Sequence, residues 1–265
     1  MRRGGETGAG GPLPGPGEPP PGAAMRRAGS ALGVLAALAL LASACGGEDG
    51  PVPAAEYGER LFNDARLSES GFNSFSCATC HATTPTPPAG RMDSGYTLYD
   101  SAFRKTWWGG YETRLLDAVN FCYVNFMRGV TPLPKDSPQS RALYEYLVSI
   151  SPNRDAQPLP FTVVKNAAEV ARGDRARGQE VYRAACQGCH GQPHTGTGRL
   201  TELAAVLPEV TADYGRLFPG VPPSLVVIEK VRHGQFFGVG GNMPPYSVEA
   251  LSDADLGALL TFLDL

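Results

Sequence analysis

Apolar positions recur at helical spacing in four stretches of this chain, and the four form two matching pairs. Gly58-x-x-Leu61-Phe62 and Gly178-x-x-Val181-Tyr182 carry the same small–apolar–aromatic pattern on one helix face. Each is followed by a later stripe with its own start signal. Asp136-Ser137-Pro138 offers a cap and a proline at the first helical position, ahead of Leu143, Tyr144, Leu147 and Ile150. Ser252-x-x-Asp255 offers a box-like cap, ahead of Leu256, Leu259, Leu260 and Leu263. A further helix is predicted over Val226 to His233. The pattern predicts an all-α chain built by internal duplication. A glycine on the early helix of each half would let a second backbone approach closely.

The N-terminal region has another character. Residues 1–24 are almost entirely Gly, Pro, Ala and Glu, with no core-forming pattern, and read as a non-structural or mis-assigned N-terminus. Met25-Arg26-Arg27 then opens a basic segment, followed by an apolar run from Ala31 to Ala44. That run is short for a membrane span and has the form of a signal peptide over 25–44. Leu41-Ala42-Ser43-Ala44-Cys45 resembles a lipobox, in which Cys45 takes a lipid, the reading that the following tether favours; the alternative is Ala42-Ser43-Ala44 as a cleavage site for ordinary secretion. The glycine-rich, acidic residues 46–50 read as part of a tether spanning 45–54. Either route places the chain outside the cytoplasm. The expectation is a periplasmic, membrane-anchored lipoprotein of a Gram-negative bacterium.

Between the helices lie two short strings, Cys77-Ala78-Thr79-Cys80-His81 and Cys186-Gln187-Gly188-Cys189-His190. Each is C-x-x-C-H, the attachment signature of c-type haem. Two thiols at this spacing form thioethers to the two vinyl groups of one porphyrin, and the adjacent histidine binds its iron. A bare C-x-x-C also fits zinc or a dithiol redox pair, but neither needs a histidine directly after each pair. The expectation is two haem c groups, attached through Cys77, Cys80, Cys186 and Cys189, with His81 and His190 on iron.

A helix before C-x-x-C-H and a closing helix that crosses it is the plan of class I cytochrome c domains, and both halves resemble that family. The resemblance implies two tandem domains, 55–151 and 175–265, each enclosing one haem. The proline-bearing segment 152–174 is the linker.

Without the leader, three methionines remain to serve as sixth ligands: Met92, Met127 and Met243. Met243 stands in Asn242-Met243-Pro244-Pro245, 53 residues after His190 and just before the last helix, where class I cytochromes place the distal methionine. In the first half the candidates are Met92, Met127 and Cys122, the last 41 residues after His81. If Cys122 and Met127 share one helix they point in different directions, and only one reaches the iron. The stretch around Ala118-Val119-Asn120-Phe121-Cys122, with Phe126-Met127-Arg128-Gly129 and Leu133-Pro134-Lys135-Asp136-Ser137, resembles the thiosulfate dehydrogenase family and, more distantly, the dihaem subunit of the sulfur-oxidising complex. That resemblance implies that Cys122 ligates the first haem and is the catalytic residue, carrying a sulfur adduct. Arg91, Arg104, Lys105, Arg114 and Arg128 are candidates to hold a small sulfur anion. His194 and His233 are alternative ligands, and Trp107-Trp108 packs or lines a haem edge.

Charge adds little. The chain has 23 basic and 26 acidic residues, net −3; residues 1–44 hold four basic and two acidic ones, so the remainder is near −5. This argues against nucleic acid as a partner and permits docking to a redox protein, a cytochrome or copper protein acting as donor or acceptor. Three functions follow: an electron carrier, an oxidoreductase acting on a sulfur donor, or a small-ligand sensor should one haem be five-coordinate.

Overall fold

The computed structural model describes residues 52–234 and 242–265. The leader, Cys45 and most of the tether lie outside the described residues. The fold is all-α: among the described residues there is no strand, only an isolated bridge between Trp107 and Glu112. No helix of the described residues is long and apolar enough to cross a membrane.

The elements are α1 (Ala54–Asn63), α2 (Cys77–Cys80), α3 (Leu115–Asn125), α4 (Pro138–Ser149), α5 (Arg175–Val181), α6 (Gln187–His190), α7 (Tyr214–Leu217), α8 (Pro223–His233) and α9 (Asp253–Phe262). A wider π-type turn, Tyr182–Cys186, links α5 to α6. The caps form as the sequence signals. The Ser137 hydroxyl accepts from Ser140 N–H and the Ser252 hydroxyl from Asp255 N–H, each at 3.1 Å.

Two helix crossings define the architecture. α1 meets α4 at Gly58, where an added Cβ would overlap the Ala142 carbonyl oxygen and lie 2.7 Å from Tyr146 Cβ. α5 meets α9 at Gly178, where it would overlap the Ala258 oxygen and lie 2.8 Å from Phe262 Cβ. Backbone thus packs on backbone at both seams, as the paired glycines predict. Each seam is closed by one aromatic pair, Phe62 with Tyr146 (ring centroids 5.4 Å apart) and Tyr182 with Phe262 (5.5 Å).

The stripe on α4 differs in one residue from the expected one. Leu143 and Leu147 are buried, but Tyr144 is 39% exposed and Tyr146 takes its place in the core. Residues 143, 146 and 147 share a face by their spacing of three and four, whereas 144 stands about 100° away from 143 around the helix.

The first core cluster centres on Phe62, Leu143 and Tyr146. The second is larger and includes Val181, Tyr182, Cys186, Tyr214, Val226, Leu256 and Leu260. The segment after α4 carries no helix but is well tied. Pro160 O accepts from the Tyr96 hydroxyl (2.6 Å), Thr162 N–H donates to Glu249 (3.0 Å) and Glu169 accepts from Ser224 (2.7 Å).

Candidate functional site

α2 carries the first C-x-x-C-H string up to Cys80, with His81 at its C-cap, and α6 carries the second from Gln187 to His190, with Cys186 ending the π-type turn before it. The Nδ1–H of His81 donates to the Tyr96 carbonyl (2.7 Å); that of His190 donates to the Ala205 carbonyl (2.8 Å). A carbonyl only accepts, so Nδ1 carries the proton and Nε2 keeps its lone pair. Both acceptors lie 15 residues beyond their histidine. Burial holds both imidazoles below their ordinary pKa, so they are neutral and able to bind a metal. Gly95 allows the His81 ring its place, since a Cβ there would overlap the imidazole. This is the orienting bond that metal-binding histidines ordinarily make.

The thiols sit in equally apolar surroundings. Burial, with a smaller contribution from the neighbouring thiol, pushes Cys77 and Cys186 up to about 12, and burial pushes Cys80 up to about 11. Among the described residues, no group of three or more His, Cys, Asp or Glu side chains is placed to hold a metal ion. The four string thiols therefore do not form the tetrahedral set that a shared zinc requires.

A cavity opens beside the first string. Cys77, Cys80 and His81 line it, as do Cys122 and Met127, together with apolar and aromatic side chains including Leu115, Val119, Leu147, Trp107 and Trp108. The apolar walls and the donor groups present suit haem. A histidine is available on one side, with a sulfur ligand among the other lining groups.

Of the three candidates for the sixth position, two reach this cavity. α3 ends at Asn125, and Phe126 N–H and Met127 N–H both donate to the Cys122 carbonyl (2.9 and 3.2 Å). Met127 thus lies past the helix end. The two do not share one helix, so the argument that only one of them can face the iron does not apply, and both residues line the cavity. Burial pushes the Cys122 thiol well above its ordinary pKa, with Cys77 and Cys80 adding to the effect. Met92 is elsewhere: it packs against the second core cluster, and its N–H donates to the Ala184 carbonyl (3.0 Å). Met243 is half-buried against that same cluster, which also contains Cys186.

Among the five cations singled out from the sequence, Arg104 lines the cavity; it donates to the carbonyls of Thr97 (3.3 Å) and Tyr99 (3.0 Å). Arg91 pairs with Asp93 and Arg114 with Asp117, both at 2.5 Å, while Lys105 and Arg128 are exposed. Trp107 donates to Ser101 O (3.2 Å), and Trp108 joins an aromatic cluster, tilted against Phe121 (4.7 Å) and edge-on to Phe161 (5.1 Å). His233 is committed on both nitrogens, to Glu229 (2.5 Å) and Val164 O (2.6 Å), which takes it out of the list of ligands. His194 pairs with Glu209 (2.7 Å) on an exposed surface.

Several residues around the site have roles that their place in the sequence does not reveal. Pro244 and Pro245, from the methionine loop of the second half, line the first cavity. Asn242 donates to the Phe126 carbonyl (3.1 Å). Buried Arg232 donates to the carbonyls of Tyr246, Ser247 and Leu251 and to Asp253, holding the loop in place. The partners here are mostly backbone carbonyls, which leave no mark in residue identity. The equal 15-residue spacing from each histidine to its carbonyl is the one trace of the site's support in the sequence.

The family model described as cytochrome C oxidase, cbb3-type, subunit III matches residues 173–263, a range that contains the second string, Met243 and the crossing of α5 with α9. Those residues form a c-type cytochrome domain. Such a cytochrome binds haem c covalently and transfers electrons through its iron. No curated protein matches the chain. Among solved structures, a thiosulfate dehydrogenase (TsdBA) from Marichromatium purpuratum, in its as-isolated form, is similar with a TM-score of 0.41 and 16% sequence identity over 82% of this chain. This chain spans 46% of the length of that solved chain. A likeness at that level carries no argument about what the chain acts on.

Proposed function

We propose that the chain is a periplasmic dihaem c-type cytochrome, made of two tandem domains, that relays electrons between partner proteins. The observation that carries this is the repeated histidine support. His81 and His190 each donate Nδ1–H to a carbonyl 15 residues on, beside a glycine-crossed helix pair. Each haem, when bound, supplies a one-electron iron couple. The rest is the work of the chain. Cys77 with Cys80, and Cys186 with Cys189, hold the two groups. His81 and His190 present Nε2 to iron, and Met243 offers its thioether in the second domain. The apolar cores exclude water, which favours a stable couple over side reactions. Lipid on Cys45 would keep the cytochrome at the membrane surface, within reach of a donor or acceptor cytochrome or copper protein.

The test is haem stoichiometry by pyridine haemochrome. Wild type should carry two haems per chain. Cys77→Ala/Cys80→Ala and Cys186→Ala/Cys189→Ala should each carry one. A wild-type value of one refutes the dihaem reading.

A second reading is supported by Cys122, which lines the first cavity together with Arg104. In this reading Cys122 is the sulfur ligand of the first haem and holds a thiosulfate-type anion through an S–S contact, with Arg104 as counter-charge. Two thiosulfate anions would join through a new S–S bond to give tetrathionate, and the two electrons released would leave to an external acceptor. Cys122→Ala should change the spin state and g-values of one haem in EPR and abolish thiosulfate-dependent reduction of an artificial acceptor. An unchanged EPR spectrum would assign the ligand role to Met127 instead.

A further inference from the structure

The two haem strings are joined through one short segment and one tyrosine. Residues 91–95 begin beside the first string: Gly95 N–H donates to the Cys80 carbonyl (3.2 Å), and the Arg91 guanidinium reaches the Ala78 carbonyl (3.4 Å). The same segment continues to the second string, where Met92 N–H donates to the Ala184 carbonyl (3.0 Å). Tyr246 closes the join. It is 7% exposed, and its hydroxyl donates to the carbonyl of Ala185, the residue before Cys186, at 2.7 Å; the Met92 carbonyl lies 3.4 Å from the same oxygen.

Tyr246 is itself immobilised from behind. Its N–H donates to the Val231 carbonyl (2.7 Å), and its own carbonyl accepts from buried Arg232 (3.2 Å). A phenolic hydroxyl buried in this way is retained only where it has a partner. Here that partner is the backbone at the entrance to the second string, alongside the segment fixed to the first.

We propose that Tyr246 is a positioning residue that clamps the two C-x-x-C-H strings to one another, fixing the separation and relative orientation of the haems they carry. The proposal rests on the dihaem reading above. A phenylalanine would fill the same volume but leave the Ala185 carbonyl without its donor, so that at the entrance to the second string the segment would keep the Met92–Ala184 bond and lose the phenol's.

The experiment uses the holoprotein, comparing wild type with Tyr246→Phe. Arg91→Ala, at an exposed position on the other side of the join, is the second variant should Tyr246→Phe fold poorly. Three quantities are read: haem per chain, the dipolar interaction between the two ferric centres by pulsed EPR, and the rate of electron equilibration between them after photoreduction. With two haems retained, Tyr246→Phe should broaden the distance distribution. It should slow equilibration measurably, because electron transfer between the haems depends on the separation and orientation that the clamp fixes. Arg91→Ala should move both in the same direction by less. Two haems with unchanged dipolar interaction and rate in both variants overturn the clamp and leave the dihaem reading standing. One haem per chain in wild type overturns the dihaem reading and the clamp with it.

Discussion

Replacing Gly178 by alanine tests the architecture at its narrowest point. In an isolated helix this change is favourable, by up to about 1 kcal/mol. Here the added methyl would overlap the Ala258 carbonyl oxygen and stand 2.7 Å from its carbon and 2.8 Å from Phe262 Cβ. Two of these three atoms are backbone, so relief requires α5 and α9 to move apart rather than a side chain to turn. Overpacking of this kind costs about 1–3 kcal/mol, and an offset of about 1 kcal/mol from the helix preference leaves a net loss of up to about 2 kcal/mol. For a chain of this size that is a fall in Tm of up to roughly 8 °C. Gly215→Ala is the control: it lies in α7, with nothing within 4 Å of an added Cβ, and should be neutral or stabilising by up to about 1 kcal/mol. Thermal unfolding of the haem-loaded protein, followed by far-UV circular dichroism and Soret absorbance, reads both. Gly58→Ala should repeat the loss in the first half, where Ala142 and Tyr146 occupy the corresponding place. If Gly178→Ala proves as stable as Gly215→Ala, close backbone contact is not what holds the crossing, and the shared plan of the two halves loses its physical basis.

Other expectations concern the supports around the second string. Arg232→Met should destabilise by at least about 2 kcal/mol in denaturant titration, since the carbonyls of Tyr246, Ser247 and Leu251 would lose a buried donor; a change below 0.5 kcal/mol, roughly the scale of an ordinary surface substitution, would contradict that role. Ser252→Ala removes the cap of α9 and should cost about 1 kcal/mol, and no loss would mean that the cap bond is replaced by water. Burial lowers the His233 pKa, but the Val164 carbonyl and Glu229 outweigh it and hold the imidazole above its ordinary 6.5. A raised folded-state pKa stabilises fully below the unfolded value and fades as pH rises through the folded one. Wild type should therefore exceed His233→Gln in Tm most at about pH 6, with the gap shrinking as pH rises above 6.5; a gap that widens toward alkaline pH would refute the assignment.

Much of the fold was legible in the sequence because the relevant signals are local. Gly58 and Gly178, each followed by an apolar–aromatic pair, mark the helix faces that cross. The Ser137 and Ser252 caps mark where the closing helices begin. Spacing errors show where local information ends. Apolar spacing puts Tyr144 in the α4 stripe and omits Tyr146, since the direction of the buried face is fixed only by α1 packing across it. Met92 looked equivalent to Met127 as a ligand along the chain, yet its backbone is drawn to Ala184 and its side chain to the second core. Cys122 and Met127 both reach the cavity because α3 stops at Asn125, a boundary that apolar periodicity did not supply.

The sequence by itself determined that the chain is all-α, internally repeated and furnished with two C-x-x-C-H strings, because thioether attachment needs its residues adjacent. Tertiary structure alone decided how those strings are held and joined. The Tyr96 and Ala205 carbonyls orient the histidines, Pro244 and Pro245 of the second half line the cavity of the first, and Tyr246 reaches the entrance to the second string. Each of these depends on backbone groups and on residues distant in sequence. A carbonyl is present at every position, and only folding determines which one faces an imidazole or a phenol.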